Sequence, residues 1–342
     1  MAKRLVLFNH KGGVSKTTSS YNIGWMIAKK HRVLLVDADS QCNLTSLILG
    51  DYFEQYYLED STRSQNIKDG VAPAFDARPV PIVATTCFSP TRAPNLHLLA
   101  GHADLSAYDG ALTLAQMSNN AISTLQNLPG AFAQLLALTE AKYGIDYTVI
   151  DLNPSLSSIN QNLFLVSDAF IIPTNPDPFS IMALDTLRGI LPRWSKWKQE
   201  AVPLYADSAY PIPPGTPKFI GTLIQRFNIR RGRAARPYRD NISEIKTGVT
   251  QRLYPALFSS SMTLDPADYG SLSDDGYCLG EIADFQGLLP KSYDAGVPIF
   301  ELTDSEIHET GPVKLGFQER RDQFHRQFTD ITSCVLKIMD HA

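Results

Sequence analysis

The sequence predicts an α/β fold: a doubly wound, mostly parallel sheet with helices on both faces. Three observations carry that expectation. Two continuous apolar runs end in a carboxylate, Val33-Leu34-Leu35-Val36-Asp37 and Tyr147-Thr148-Val149-Ile150-Asp151. A run without polar alternation reads as a strand covered on both faces, and in such sheets ligands gather at the carboxyl ends of the strands. Helical periodicities separate the runs, with Ile23, Met26 and Ile27, then Phe132, Leu135, Leu136 and Leu138, then Ile181, Leu184 and Leu187 as the inward positions. Finally, the apolar run Leu5-Val6-Leu7-Phe8 passes directly into a glycine-rich loop and then the first helix.

That loop, Asn9-His10-Lys11-Gly12-Gly13-Val14-Ser15-Lys16-Thr17-Thr18, organises the rest of the chain. Strand, glycine-rich loop and helix together point consecutive backbone N–H groups into one concavity, backed by the positive end of a helix. An anion fits there. In a phosphate-binding loop Lys16 reaches the β- and γ-phosphates and the Thr17 hydroxyl sits on Mg²⁺. The strict pattern has glycine where this chain has His10 and Ser15. Lys11 is surplus to it, and two lysines five residues apart around Gly12-Gly13 repel one another unless an anion lies between them.

Lys-Gly-Gly-x-x-Lys-Thr-Thr, from Lys11 to Thr18, resembles the deviant Walker A box of the ParA/MinD/Soj family of partition and positioning ATPases. The resemblance implies that Gly12, Gly13, Val14, Ser15, Lys16, Thr17 and Thr18 cradle ATP, and that Lys11 reaches the nucleotide held by a partner protomer. Asp37-Ala38-Asp39-Ser40-Gln41-Cys42-Asn43 is similar to the family's switch I box, with Ser40 for proline and Cys42 for glycine. By that match Asp39 orients the attacking water and Asp37 supports the magnesium shell. Asp151-Leu152-Asn153-Pro154-Ser155 resembles Walker B, with Asp151 on Mg²⁺ through a water and Asn153 in place of the family's first proline. Gln225 takes the family's position near the adenine.

The remaining chain is expected to fill in one domain over residues 1–342, with loop insertions near 50–95, 201–217 and 259–280. Five prolines from Pro73 to Pro94 keep any helices there short. Asn95–Gly101, Asp168–Thr174, Lys218–Gln225 and Gly296–Glu301 read as strands. Ala131–Tyr143, Ser180–Leu191 and Phe317–Met339 read as helices. The 201–217 stretch is too rich in proline for regular structure.

Composition narrows the function. Hydrophobic residues make up 44% and charged residues 19% of 342, ordinary globular values, and the net charge is −4. A basic surface must therefore be local. Between Arg226 and Arg239 lie six arginines (Arg226, Arg230, Arg231, Arg233, Arg236 and Arg239), with no acid among them and Tyr238 interleaved. Phosphate-backbone contact with double-stranded DNA, without sequence preference, suits such a window and the resemblance; the other readings are a solvated arginine face paired with Glu or Asp elsewhere, or a partner-protein site. Cys42, Cys87, Cys278 and Cys334 form no C-x-x-C pair, which disfavours zinc or a disulfide framework and suits a reducing cytosol. No run approaches the roughly 18 apolar residues of a membrane span. The expectation is a soluble cytoplasmic ATPase that binds ATP and Mg²⁺, forms a homodimer with ATP, and turns over slowly until a ParB-like or other protein stimulates it. The alternatives are a catalytically weak nucleotide-binding scaffold in a multi-protein complex, a synthetase on the same fold, and an iron–sulfur reductase, which the isolated cysteines disfavour.

Overall fold

The computed structural model describes residues 2–230 and 233–342; Arg231, one of the six window arginines, lies outside them. Seven parallel strands form the main sheet: β1 (Lys3–Leu7), β2 (Val33–Ala38), β3 (Leu96–Leu99), β4 (Tyr147–Leu152), β5 (Ala169–Thr174), β6 (Lys218–Phe227) and β9 (Cys278–Ala283), in the order β3-β2-β4-β1-β5-β6-β9. A small antiparallel hairpin, β7 (Ile229–Arg230) with β8 (Arg233–Ala234), follows β6. The expected fold class holds. Leu5, Val6, Leu7 and all of Val33–Val36 are fully buried, as a strand covered on both faces requires.

The helices are α1 (Lys16–Ala28), α2 (Asn43–Leu49), α3 (Phe53–Leu58), α4 (Ile67–Phe75), α5 (Asp109–Ser118), α6 (Leu128–Tyr143), α7 (Ser158–Leu165), α8 (Pro178–Leu204), α9 (Arg236–Gly248), α10 (Tyr254–Phe258), α11 (Leu288–Asp294) and α12 (Gly311–Met339). One layer holds α1 and α12, packed on each other and on the sheet. The opposite layer is built from α4 to α8, with Phe8, Phe164, Phe170 and Trp194 clustered beneath it. Helix α1 buries every residue from Ser19 to Ala28, not one stripe, because sheet and α12 enclose it. Gly24 permits this: a Cβ there would stand 2.4 Å from the Leu35 side chain of β2.

Three expectations are corrected. Gly296–Glu301 is not a strand; Ile299–Glu301 forms a single 3-10 turn. Its Ile299 and Phe300 are buried by side-chain packing, Phe300 against Phe328 of α12, not by ladder pairing. The seventh strand is instead β9, which begins inside the stretch expected to be loop. Its sequence, Cys-Leu-Gly-Glu-Ile-Ala, has no apolar run because it lies at the edge and pairs only with β6 among the described residues. Helix α8 does not stop before Pro192 but continues to Leu204. Proline removes one helical hydrogen bond, yet Trp194, Ser195, Lys198 and Ala201 beyond it are buried and hold the helix on course. The helices within 50–95 are short, as expected, at six and nine residues.

Candidate nucleotide site

β1, β2 and β4 deliver the loop, Asp37 and Asp151 to one end of the sheet. Asn9 at the tip of β1 is fully buried; its amide donates to Pro173 O (2.8 Å) and its Oδ1 accepts from Lys11 N (3.0 Å), so the loop starts from a fixed point. Gly13 turns through φ 71° and Ser15 through φ 60°, both in the left-handed region. Ser15 thus adopts the conformation for which the strict pattern reserves glycine. Cys42, at the glycine position of the switch I box, does the same at φ 52°. At these two positions the residue is not glycine, yet the backbone takes the left-handed turn.

Lys16 is buried, and its Nζ donates to Asn9 O (2.9 Å) and Lys11 O (3.3 Å). Burial pulls its pKa below the usual lysine range, while Asp151 and Asp39 oppose the shift. A lysine resting on carbonyls is poised for an anion. Lys11 differs. Its Nζ donates to Asp177 Oδ1 (2.7 Å) and Ser180 Oγ (2.9 Å) at the start of α8. The expected uncompensated repulsion between the two lysines is therefore corrected: a carboxylate 166 residues away neutralises Lys11.

Asp37 and Asp151 are register partners on neighbouring strands, and both are fully buried. Asp37 accepts from Thr45 N (2.8 Å), Thr45 Oγ1 (2.7 Å) and Asp39 N (3.1 Å), so its oxygens shape the switch segment. Burial raises its pKa to about 6. Asp151 accepts from Ser20 Oγ (3.2 Å) at Oδ1, while its Oδ2 is buried without a partner among the described residues. Burial, then the Asp37 charge, lifts its pKa to about 7. A dication beside Thr17 would satisfy the orphaned oxygen and relieve both carboxylates, so these residues fit Mg²⁺. Among the described residues no group of three His, Cys, Asp or Glu side chains could hold a metal alone. Mg²⁺ usually keeps waters and substrate phosphates as most of its ligands, so that is no obstacle.

Asp39 is nearly buried and lines the cleft; its Oδ1 accepts from Gln41 N (2.9 Å). At the Walker B turn, buried Asn160 donates to Asn153 O (2.9 Å), Asn153 Oδ1 (3.0 Å) and Ser155 O (2.8 Å). This network holds the turn that the family holds with proline. The cleft measures about 720 Å³ and runs from Thr17 and Asp39 to Phe285, Leu289 and Tyr293. Gln225 lies on its wall, but its amide is engaged by Ser19 Oγ (2.7 Å) and it is buried.

The structure divides the arginine window. Arg226 lies on the cleft wall with Nη1 donating to Gly13 O (3.0 Å). Arg236 and Arg239 are exposed on the first turn of α9, and Arg230 and Arg233 pair across the β7–β8 hairpin. Residues that sequence reasoning missed include Asn175, which also donates to Gly13 O (3.0 Å), and the Asp177–Ser180 pair. Asp-Pro-x-Ser is a legible helix start, since Asp177 Oδ1 caps Ser180 N at 2.8 Å.

A family model described as an AAA domain (AAA_31) matches residues 2–201, more than half of the chain. The chain belongs to the ParA/MinD-like P-loop ATPases. It is 27% identical over 188 residues to the virulence plasmid ParA family protein pGP5-D of Chlamydia psittaci, covering 54% of this chain and 62% of that relative. The match thus spans less than two thirds of that relative's length. Among solved structures it resembles apo McdA of Cyanothece, with TM-score 0.61, 16% identity and coverage of 98% and 100% of the two chains. An aspartate-to-alanine variant of McdA has also been solved as an ATP complex (TM-score 0.58, 19% identity, 98% and 96% covered). The pNOB8 ParA bound to nonspecific DNA matches with TM-score 0.57, 19% identity and 99% of both chains covered. These likenesses concern the fold. Among the described residues no helix is long and apolar enough to cross a membrane.

Proposed function

We propose that this protein is an ATP-dependent dimerising switch that hydrolyses ATP slowly, binds duplex DNA without sequence preference, and is stimulated by a ParB-like or other partner protein in the cytoplasm or on the nucleoid. Lys16 and the amides of Gly12–Thr18 would hold the phosphates, Thr17 and Asp151 would hold Mg²⁺ with Asp37 behind them, and Asp39 would orient a water. The metal, when bound, supplies neutralisation of the phosphate charge.

The observation that carries the reading is the division of labour between the two lysines. Lys16 faces the cradle, whereas Lys11 is kept outside it on Asp177 and Ser180. Beside that pair Phe179 and Met182 are 70% and 64% exposed, an apolar rim that a second copy would cover. The McdA ATP complex and the DNA-bound pNOB8 ParA support the nucleotide and DNA parts by likeness of fold.

The test is light scattering with ATP, ADP and a non-hydrolysable analogue. Wild type is expected to double its mass only with ATP or the analogue. Lys11→Ala should bind ATP within about threefold of wild type yet stay monomeric, because it removes a contact made only across the interface. A Lys11→Ala protein that dimerises normally would refute the switch.

A further inference from the structure

Arg226 occupies an unusual place. The register between β6 and β9 slips from Gln225 opposite Ile282 to Phe227 opposite Ala283, leaving Arg226 as the extra residue of a β-bulge. Its backbone sits at φ 62°, a conformation unfavourable for any side chain with a Cβ. Bulges re-aim side chains. Here Gln225 turns inward to Ser19, and Arg226 turns onto the mouth of the cleft, where Nη1 meets Gly13 O at 3.0 Å. One of the guanidinium's five N–H donors is thereby used, and the side chain remains exposed.

We infer that Arg226 is a nucleotide-binding residue whose guanidinium plane covers the nucleoside half of the bound ATP; this rests on the nucleotide reading of the cleft. Two facts separate it from the phosphates. The loop's amides converge on the anion, so the Gly13 carbonyl that anchors Arg226 belongs to the outer side of the cradle. The cleft lining also contains Phe285, Leu289 and Tyr293, and Phe285 lies just beyond the end of β9, the strand paired with β6. Aromatic and aliphatic surfaces suit a base, and a planar cation held by one edge is a platform on which a base stacks. A third fact separates it from DNA: it is tied to the phosphate loop, whereas Arg236 and Arg239 stand exposed on α9. Nucleoside contact and loop geometry would then be coupled through one side chain.

The experiment titrates Mg·ATP and, separately, Mg·tripolyphosphate into the full chain by calorimetry. Wild type must bind ATP; failure there overturns the nucleotide reading itself, before any variant is made. Arg226→Ala is expected to weaken ATP about tenfold, the order of a cation–π stack, while tripolyphosphate stays within about twofold. Arg226→Lys should recover at most part of the loss, because an ammonium keeps the charge but offers no plane. Arg226→Gly guards against misfolding: glycine relieves the positive φ, so it should melt higher than Arg226→Ala yet show the same weakening for ATP. Unchanged ATP affinity in Arg226→Gly would overturn the inference. So would an equal weakening for tripolyphosphate, which would make Arg226 a phosphate contact.

Discussion

Ser15 and Cys42 stand at two backbone positions that glycine occupies more cheaply. Each precedes a helix, α1 and α2, and each is left-handed with no side-chain cap bond. A Cβ in that region costs on the order of 1 kcal/mol. Ser15→Gly should therefore raise the unfolding free energy by about 1 kcal/mol in urea titrations. Cys42→Gly should gain less, because its buried sulfur packs near Gly101 and leaves a void. The two buried carboxylates make a pH prediction. The folded pKa values of Asp37 and Asp151, about 6 and about 7, lie above the ordinary aspartate value, so the folded state binds more protons than the unfolded state between about pH 4 and 7. Their contribution is fully present below about pH 4 and is lost as pH rises to about 7. Asp151→Asn should flatten this fall in a series of thermal melts without nucleotide. Saturating Mg·ATP should do the same for wild type, by replacing the proton with a metal.

At the scale of elements, the start of α8 both caps a helix and holds Lys11. Asp177→Asn keeps the capping oxygen but gives up the charge. The melting temperature should therefore hold within a few degrees while dimerisation shifts to lower ATP concentration, read by light scattering against ATP. Unchanged ATP dependence would mean that the Lys11–Asp177 pair imposes no cost on the switch. Gly24 lets α1 lie against β2, and Gly24→Val should destabilise by about 2 kcal/mol in denaturant titrations, because the branched side chain meets Leu35. These elements also mark what was legible. The loop, the switch segment and the Walker B strand could be read because each keeps its chemistry within about ten consecutive residues. Strand β9 could not, since an edge strand needs no apolar run. Nor could Lys11's partner or the aim of Arg226, which depend on a residue 166 positions away and on a one-residue bulge.

For the whole molecule, the proposed DNA contact requires a local basic face, because the net charge is −4. Changing Arg230, Arg231 and Arg233 together to Glu should abolish gel-shift binding of random duplex at low salt, with ATP-dependent dimerisation intact. Single substitutions, each leaving one phosphate without its counter-charge, should reduce the log–log salt slope by about 0.9 apiece. Equal binding by wild type and the triple variant would assign the patch to a protein partner. The arrangement of the sheet was legible as a class, but its order was not, because the pairing of parallel strands is decided by crossovers.

The order has a consequence for how the protein is made. Strand β1 lies at the centre, flanked by β4 and β5, and its Lys3 pairs with Tyr147. During synthesis, Leu5, Val6, Leu7 and Phe8 leave the ribosome about 140 residues ahead of the first strand that can shield them. At ordinary elongation rates that is a wait on the order of ten seconds. The strand that carries the phosphate loop is thus the one longest without a strand partner on the nascent chain, and chaperone dependence of its yield should track the rate of translation between residues 9 and 147.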